Sequence, residues 1–198
     1  ILSKSDASIR WVVIKKLLAM EESSYVEDYL LKFIADDMPA NEKGRAGEVL
    51  LTLQNLKGLD VYVDWLKSFE GNDIDVSRVD CLNSLRTKDA VPKLMELLEF
   101  SYQREIRVDS FDKLNSVVLG SLYSVALDSE NNFNIVMDNF KTFIEEKSSI
   151  YPNAKYLLHT MERLDAQFYM NRAQSHSIDD VKEKLNILDS QILILKIY

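Results

Sequence analysis

An arginine followed by apolar residues at helical spacing recurs four times along this 198-residue chain. Arg10 precedes Ile14 and Leu17, Arg45 precedes Val49 and Leu53, Arg78 precedes Leu82 and Leu85, and Arg107 precedes Phe111 and Leu114. Successive arginines stand 35, 33 and 29 residues apart. That is the length of a helical hairpin, and such hairpins bury their apolar faces against neighbours of the same kind. The expected fold is all-α, a right-handed α-solenoid of about five antiparallel helix hairpins. It fills one domain over residues 1–198, with the clearest repeats in 5–127 and less regular hairpins in 128–198.

Composition narrows the class further. Only 5 Gly and 3 Pro are present, too few for a fold built on tight turns, while 46% hydrophobic residues suffice for a core. A net charge of −8 with Lys and Arg scattered singly argues against a phosphate-tracking face, so no nucleic acid is expected as partner. The single cysteine, Cys81, requires no oxidising compartment, and no stretch approaches the roughly 20 apolar residues of a membrane span. A cytoplasmic protein with no membrane attachment is the reading. The absence of an initiator methionine and the apolar first and last residues read as a piece excised from a larger protein.

Helical periodicity places the elements. Ile9, Val13, Leu17 and Met20 mark a helix over 6–20, and Val26, Tyr29, Leu30, Phe33 and Ile34 one over 25–35 that stops before Pro39. A third spans 41–55, interrupted by Gly47, and a fourth spans 60–69, with Gly71-Asn72 closing the hairpin. The third unit pairs a helix at 76–85 with one from Ala90 to Phe100, where Pro92 falls in the permissive first turn. Longer helices follow from Arg104 to Leu127, from 131 to 147 and from 154 to 171. A polar linker at 174–177 then leads to a short helix over 178–188, and the tail 192–197 is a last helix or a strand. About ten helices result.

The stretch Ser77-Arg78-Val79-Asp80-Cys81-Leu82-Asn83-Ser84-Leu85 resembles the first helix of a HEAT repeat, and Asp89 to Leu98 resembles the second. Ile106-Arg107-Val108 is similar to the opening of the next repeat. Over 77–114 this resemblance implies a superhelical scaffold whose groove binds protein partners. Gln167-Phe168-Tyr169-Met170-Asn171, with Ser175 and Ser177-Ile178, is faintly similar to the helical C-terminal regions of large bacterial NACHT-type ATPases. That likeness implies a sensor or autoinhibitory arm, and no nucleotide motif accompanies it.

No residue set converges on catalysis, a cofactor or a metal. His159 and Glu162 share a helix face, but a helical metal site needs a second such pair. His176 sits in a serine-rich linker, Cys81 lacks a neighbouring base, and adjacent acidic pairs diverge by about 100° on a helix. Gly44-Arg45-Ala46-Gly47 lacks the Lys-Ser/Thr of a phosphate loop. The resemblance to HEAT repeats implies that the recurring arginines belong to the scaffold, reaching neighbouring carboxylates or helix-end carbonyls, and the alternative is a ladder that grips an acidic partner. Trp11, Tyr102, Tyr123, Tyr169 and Arg172 are the candidate partner-binding residues, being of the types that dominate binding hot spots. The expected role is a non-catalytic interaction or regulatory module, its partner a protein or a neighbouring domain of the same chain. The competing readings are an enzyme on a HEAT-like scaffold, of glycosylase or lyase type, and a structural spacer.

Overall fold

The computed structural model describes residues 7–20, 23–68, 79–105 and 111–173. All regular structure among them is helical: α1 (Ala7–Ala19), α2 (Ser23–Ala35), α3 (Ala40–Thr52), α4 (Leu59–Lys67), α5 (Val91–Glu105), α6 (Phe111–Asp128), α7 (Glu130–Lys147) and α8 (Leu157–Ala173). Short 3-10 turns precede α4, α5 and α8, and a further one covers Asp80–Ser84. Neighbouring helices pack in chain order from α1 to α8, and α8 also lies against α6. No helix here is long and apolar enough to cross a membrane.

Local sequence sets these boundaries. Ser129 caps α7, its hydroxyl accepting from the Asn132 N–H at 3.2 Å, with Glu130 in the first turn and Lys147 in the last, as the helix dipole favours. Phe133, Val136, Met137, Phe140 and Phe143 then form its buried stripe at helical spacing. The C-terminus of α3 closes in a Schellman motif: the Gln54 N–H reaches the Leu51 carbonyl and the Asn55 N–H the Leu50 carbonyl, both at 2.8 Å. Gln54 stands at φ 61°, a left-handed conformation that usually falls to glycine.

The described residues form two apolar cores. Trp11, Ile14, Val26, Leu30, Phe33, Ala46 and Leu50 join α1, α2 and α3. A larger core begins at Leu51 and runs through α4 to α8, ending at Phe168. Neighbouring residues of α3 thus serve both. Lys67 and Lys93 clasp Glu96 across α4 and α5, and their hydrogen bonds, Lys67's above all, hold the Glu96 carboxyl below its ordinary range.

Three expectations change. Gly47 does not interrupt α3; it brings the helix against its neighbour. A Cβ at Gly47 would lie 2.7 Å from the Gly58 carbonyl oxygen, and one at Gly44 would lie 2.1 Å from the Trp65 ring. The described part of the expected helix at 76–85 is a 3-10 turn ending at extended Leu85. Ser84 Oγ there bonds the Cys81 carbonyl at 2.7 Å and Arg86 bonds the Asn83 carbonyl, drawing those acceptors away from an i→i+4 ladder. Finally, α5 extends to Glu105, past the Phe100 at which that helix was expected to stop, so Arg104 falls within α5. The side chains of Arg78 and Arg107, Gly71-Asn72, the linker with His176, the short helix at 178–188 and the tail at 192–197 lie outside the described residues.

Gly47→Ala should lower stability by about 2 kcal/mol in urea unfolding, because the obstacle is backbone and the helices must part, outweighing a helix-propensity gain of about 1 kcal/mol. Gln54→Gly should act oppositely, raising stability by about 1 kcal/mol through relief of the left-handed strain.

Candidate functional site

The sequence candidates separate into two groups. Trp11 and Tyr102 are buried in the cores. Trp11 donates its indole N–H to Glu42 Oε2 at 3.0 Å, and the Arg45 guanidinium covers its ring at 4.8 Å. Tyr102 lies against Phe143 and stacks on Tyr151, with centroids 5.7 and 6.3 Å away. Both rings fill junctions between helices, and their polar atoms or faces already have intramolecular partners.

The first of these junctions is a buried polar cluster. Arg10, 5% exposed, donates to Glu42 Oε2 at 3.0 Å, and Glu42 is 8% exposed. The Arg10 guanidinium also lies 4.8 Å above the Phe33 ring, so one side chain ties α1 to both α2 and α3. Arg10 therefore does what a scaffold arginine was expected to do, reaching a carboxylate 32 residues on. Arg45 instead lies exposed across Trp11. Tyr29 Oη is buried there without a hydrogen bond. Burial pushes its ionisation up, Arg10 opposes this, and Asp36 and Glu42 add to the rise.

The second group lies on α6 and α8. Tyr123 is half-buried and donates to the Arg163 carbonyl at 3.1 Å; burial raises its pKa. Tyr169 sets its ring edge-on to Phe133 and Phe168, and its pKa is raised first by burial, then by Asp165 and Glu130. Arg172 pairs with Glu130 at 2.7 Å and covers Phe168 at 4.8 Å. Tyr169 and Arg172 thus cap the stacked Phe133–Phe168 pair, whose centroids are 4.2 Å apart.

Tyr123 instead borders a half-open cleft of about 360 Å³ between α6 and α8, lined by Ser116, Leu119, Gly120, Tyr123, Thr160 and Arg163. Its polar groups are hydroxyls and one guanidinium, hydrogen-bond donors suited to carbonyl or carboxylate oxygens. Gly120 forms part of its wall. A Cβ there would meet only Asn83 Oδ1, at 3.6 Å, an ordinary contact. Packing therefore does not require this mid-helix glycine. Ser116, Leu119, Thr160 and Arg163 were not foreseen, and the available signal was a glycine inside an otherwise strong helical pattern.

His159 is exposed, with Nδ1 3.3 Å from Glu162 Oε2. Cys81 is half-buried against the larger core. Among the described residues, no three His, Cys, Asp or Glu side chains gather as a metal ion would require. Comparison with protein families, with curated proteins and with solved structures gave no match.

Glu42→Ala should cost about 3 kcal/mol in urea unfolding, because it removes the buried carboxylate that accepts from both Arg10 and the Trp11 N–H. The double variant Arg10→Met/Glu42→Leu should cost clearly less than the sum of its single changes, a coupling read directly from a double-mutant cycle.

Proposed function

We propose that this chain is a non-catalytic protein-interaction module, an array of helical hairpins of α-solenoid type whose partner enters the cleft between α6 and α8. The observation that carries this reading is Gly120. A glycine in mid-helix costs about 1 kcal/mol relative to alanine, and here no close backbone or side chain demands it. Gly120 lines the cleft, and the one atom a Cβ there would meet is Asn83 Oδ1 at 3.6 Å, so the stability given up has no return in packing.

The lining supports a peptide partner over a reacting substrate. Ser116, Thr160 and Arg163 offer donors and the Tyr123 oxygen, whose proton goes to the Arg163 carbonyl, an acceptor, while Leu119 and Gly120 offer apolar and backbone surface. A segment presenting backbone carbonyls and an acidic side chain fits that chemistry, with the carboxylate directed at Arg163. The lining includes neither a carboxylate nor an imidazole, so it presents no general base beside a nucleophile. The resemblance to HEAT repeats, which bind proteins along their grooves, agrees with the same role.

Gly120→Ala separates the two consequences of the glycine. The variant should gain about 0.5–1 kcal/mol in stability by thermal unfolding. It should at the same time retain less of any partner recovered with the wild-type chain as bait. Arg163→Glu should lose that partner without a stability change. A partner kept equally by both variants would place its binding elsewhere and remove the cleft from the account.

A further inference from the structure

Large apolar side chains more than half exposed concentrate in two places among the described residues, apart from Met170 on α8. Ile9, Val12, Met20 and Tyr25 occupy the first hairpin, and Ile150 and Tyr156 flank the turn between α7 and α8. On α1, Ile9, Val12 and Lys16 fall on one face that continues to Met20, opposite the face that buries Trp11, Ile14 and Leu18. The helix is therefore apolar on both sides, a pattern ordinarily found where both sides are covered.

Charge distinguishes the two patches. The α1 sequence contains no Asp or Glu; Arg10 turns inward to Glu42, while Lys15 and Lys16 stay exposed. Beside Ile150, Glu145 and Glu146 are exposed at the end of α7. Of the cations nearby, Lys147 pairs with Glu99 at 2.9 Å, and exposed Lys155, 5.6 Å from the Tyr156 ring centroid, offsets one of the two glutamates and leaves the edge acidic by the other. One patch is basic and apolar, the other acidic and apolar.

We propose that a second copy of this chain covers α1, head to tail: the Ile9–Val12–Lys16 face of one copy docks on the Ile150–Tyr156 edge of the next. Complementary charge selects this pairing, because two α1 faces brought together would oppose Lys15 and Lys16 with their own counterparts. An anionic bilayer is the other surface that suits a basic apolar helix. Two outward lysines on a chain of net charge −8 favour the acidic protein edge instead. The patches are small, so the contact is weak and transient, and being heterologous it extends rather than closes.

Sedimentation equilibrium of the full chain tests this. Weight-average mass should climb with concentration, and the rise should shrink as salt is added. Val12→Glu and Ile150→Lys, both at exposed positions, should each reduce the association constant at least about tenfold while leaving the helical circular dichroism intact. Lys15→Glu/Lys16→Glu should do the same without touching an apolar contact. The decisive sample is an equimolar mixture of Val12→Glu with Ile150→Lys: each retains the face the other lacks, so heterodimers should form and growth should stop there. A chain that stays monomeric at all concentrations, association indifferent to these changes, or a mixture that fails to pair would each overturn the proposal. Binding of the monomer to phosphatidylserine vesicles, lost in Lys15→Glu/Lys16→Glu, would assign the face to a membrane instead.

Discussion

The approach of Gly47 to Gly58 is the contact on which the rest of the packing depends. A Cβ on either residue would come within 2.7 Å of the other's carbonyl oxygen. The α3 backbone can therefore lie directly on the start of α4, closer than side-chain packing allows, and that proximity orients both faces of α3. Leu51 turns toward α4 and the large core, while Ala46 and Leu50 turn toward α1 and α2. Two cores share one helix. A displacement of α3 would loosen both at once, because interiors packed at crystal density have no slack to absorb it.

From the opposite side, α3 receives α1 through Glu42. Burying an ion pair brings modest net stability, since desolvation offsets most of the attraction. Its value here is orientation. A carboxylate that accepts from both Arg10 and the Trp11 indole admits one angular setting of α1, and Arg10 meets Phe33 in the same position. Apolar contacts alone would tolerate rotation of a helix that is apolar on both sides. The polar cluster decides which side of α1 faces inward and so which side, with Val12 and Lys16, faces out.

Element positions were legible in the sequence to within a few residues where apolar periodicity is strong, as in α7. Legibility failed where the decisive term was not periodicity. Ser84 and Arg86 divert the Cys81 and Asn83 carbonyls into local bonds, and the expected helix there becomes a 3-10 turn. Trp11 and Tyr102 belong to the residue types that form hot spots, yet burial is a property of tertiary neighbours such as Glu42 and Phe143, which lie 31 and 41 residues away in the chain. The resemblance to HEAT repeats did imply that an arginine such as Arg10 would reach a neighbouring carboxylate. Nothing in the pattern identified Glu42 as the residue it would find. Of the cleft, only Tyr123 was anticipated, because hydroxyls from two helices converge only once α6 and α8 are set side by side.

The same residue type then carries opposite meanings at two positions. Gly47 and Gly120 both sit inside helices and both forgo the stability that alanine would bring. At Gly47 the loss is recovered by backbone contact that no other residue permits. At Gly120 nothing presses close enough to recover it, so the cost persists in the folded chain. Glycine there makes sense if an occupant of the cleft supplies the missing contacts, with Thr160 and Arg163 on the facing helix providing the polar ones. Conformational cost without a packing return is thus the ground on which an occupant is proposed for the α6–α8 cleft, whereas at Gly47 the same cost is met inside the fold.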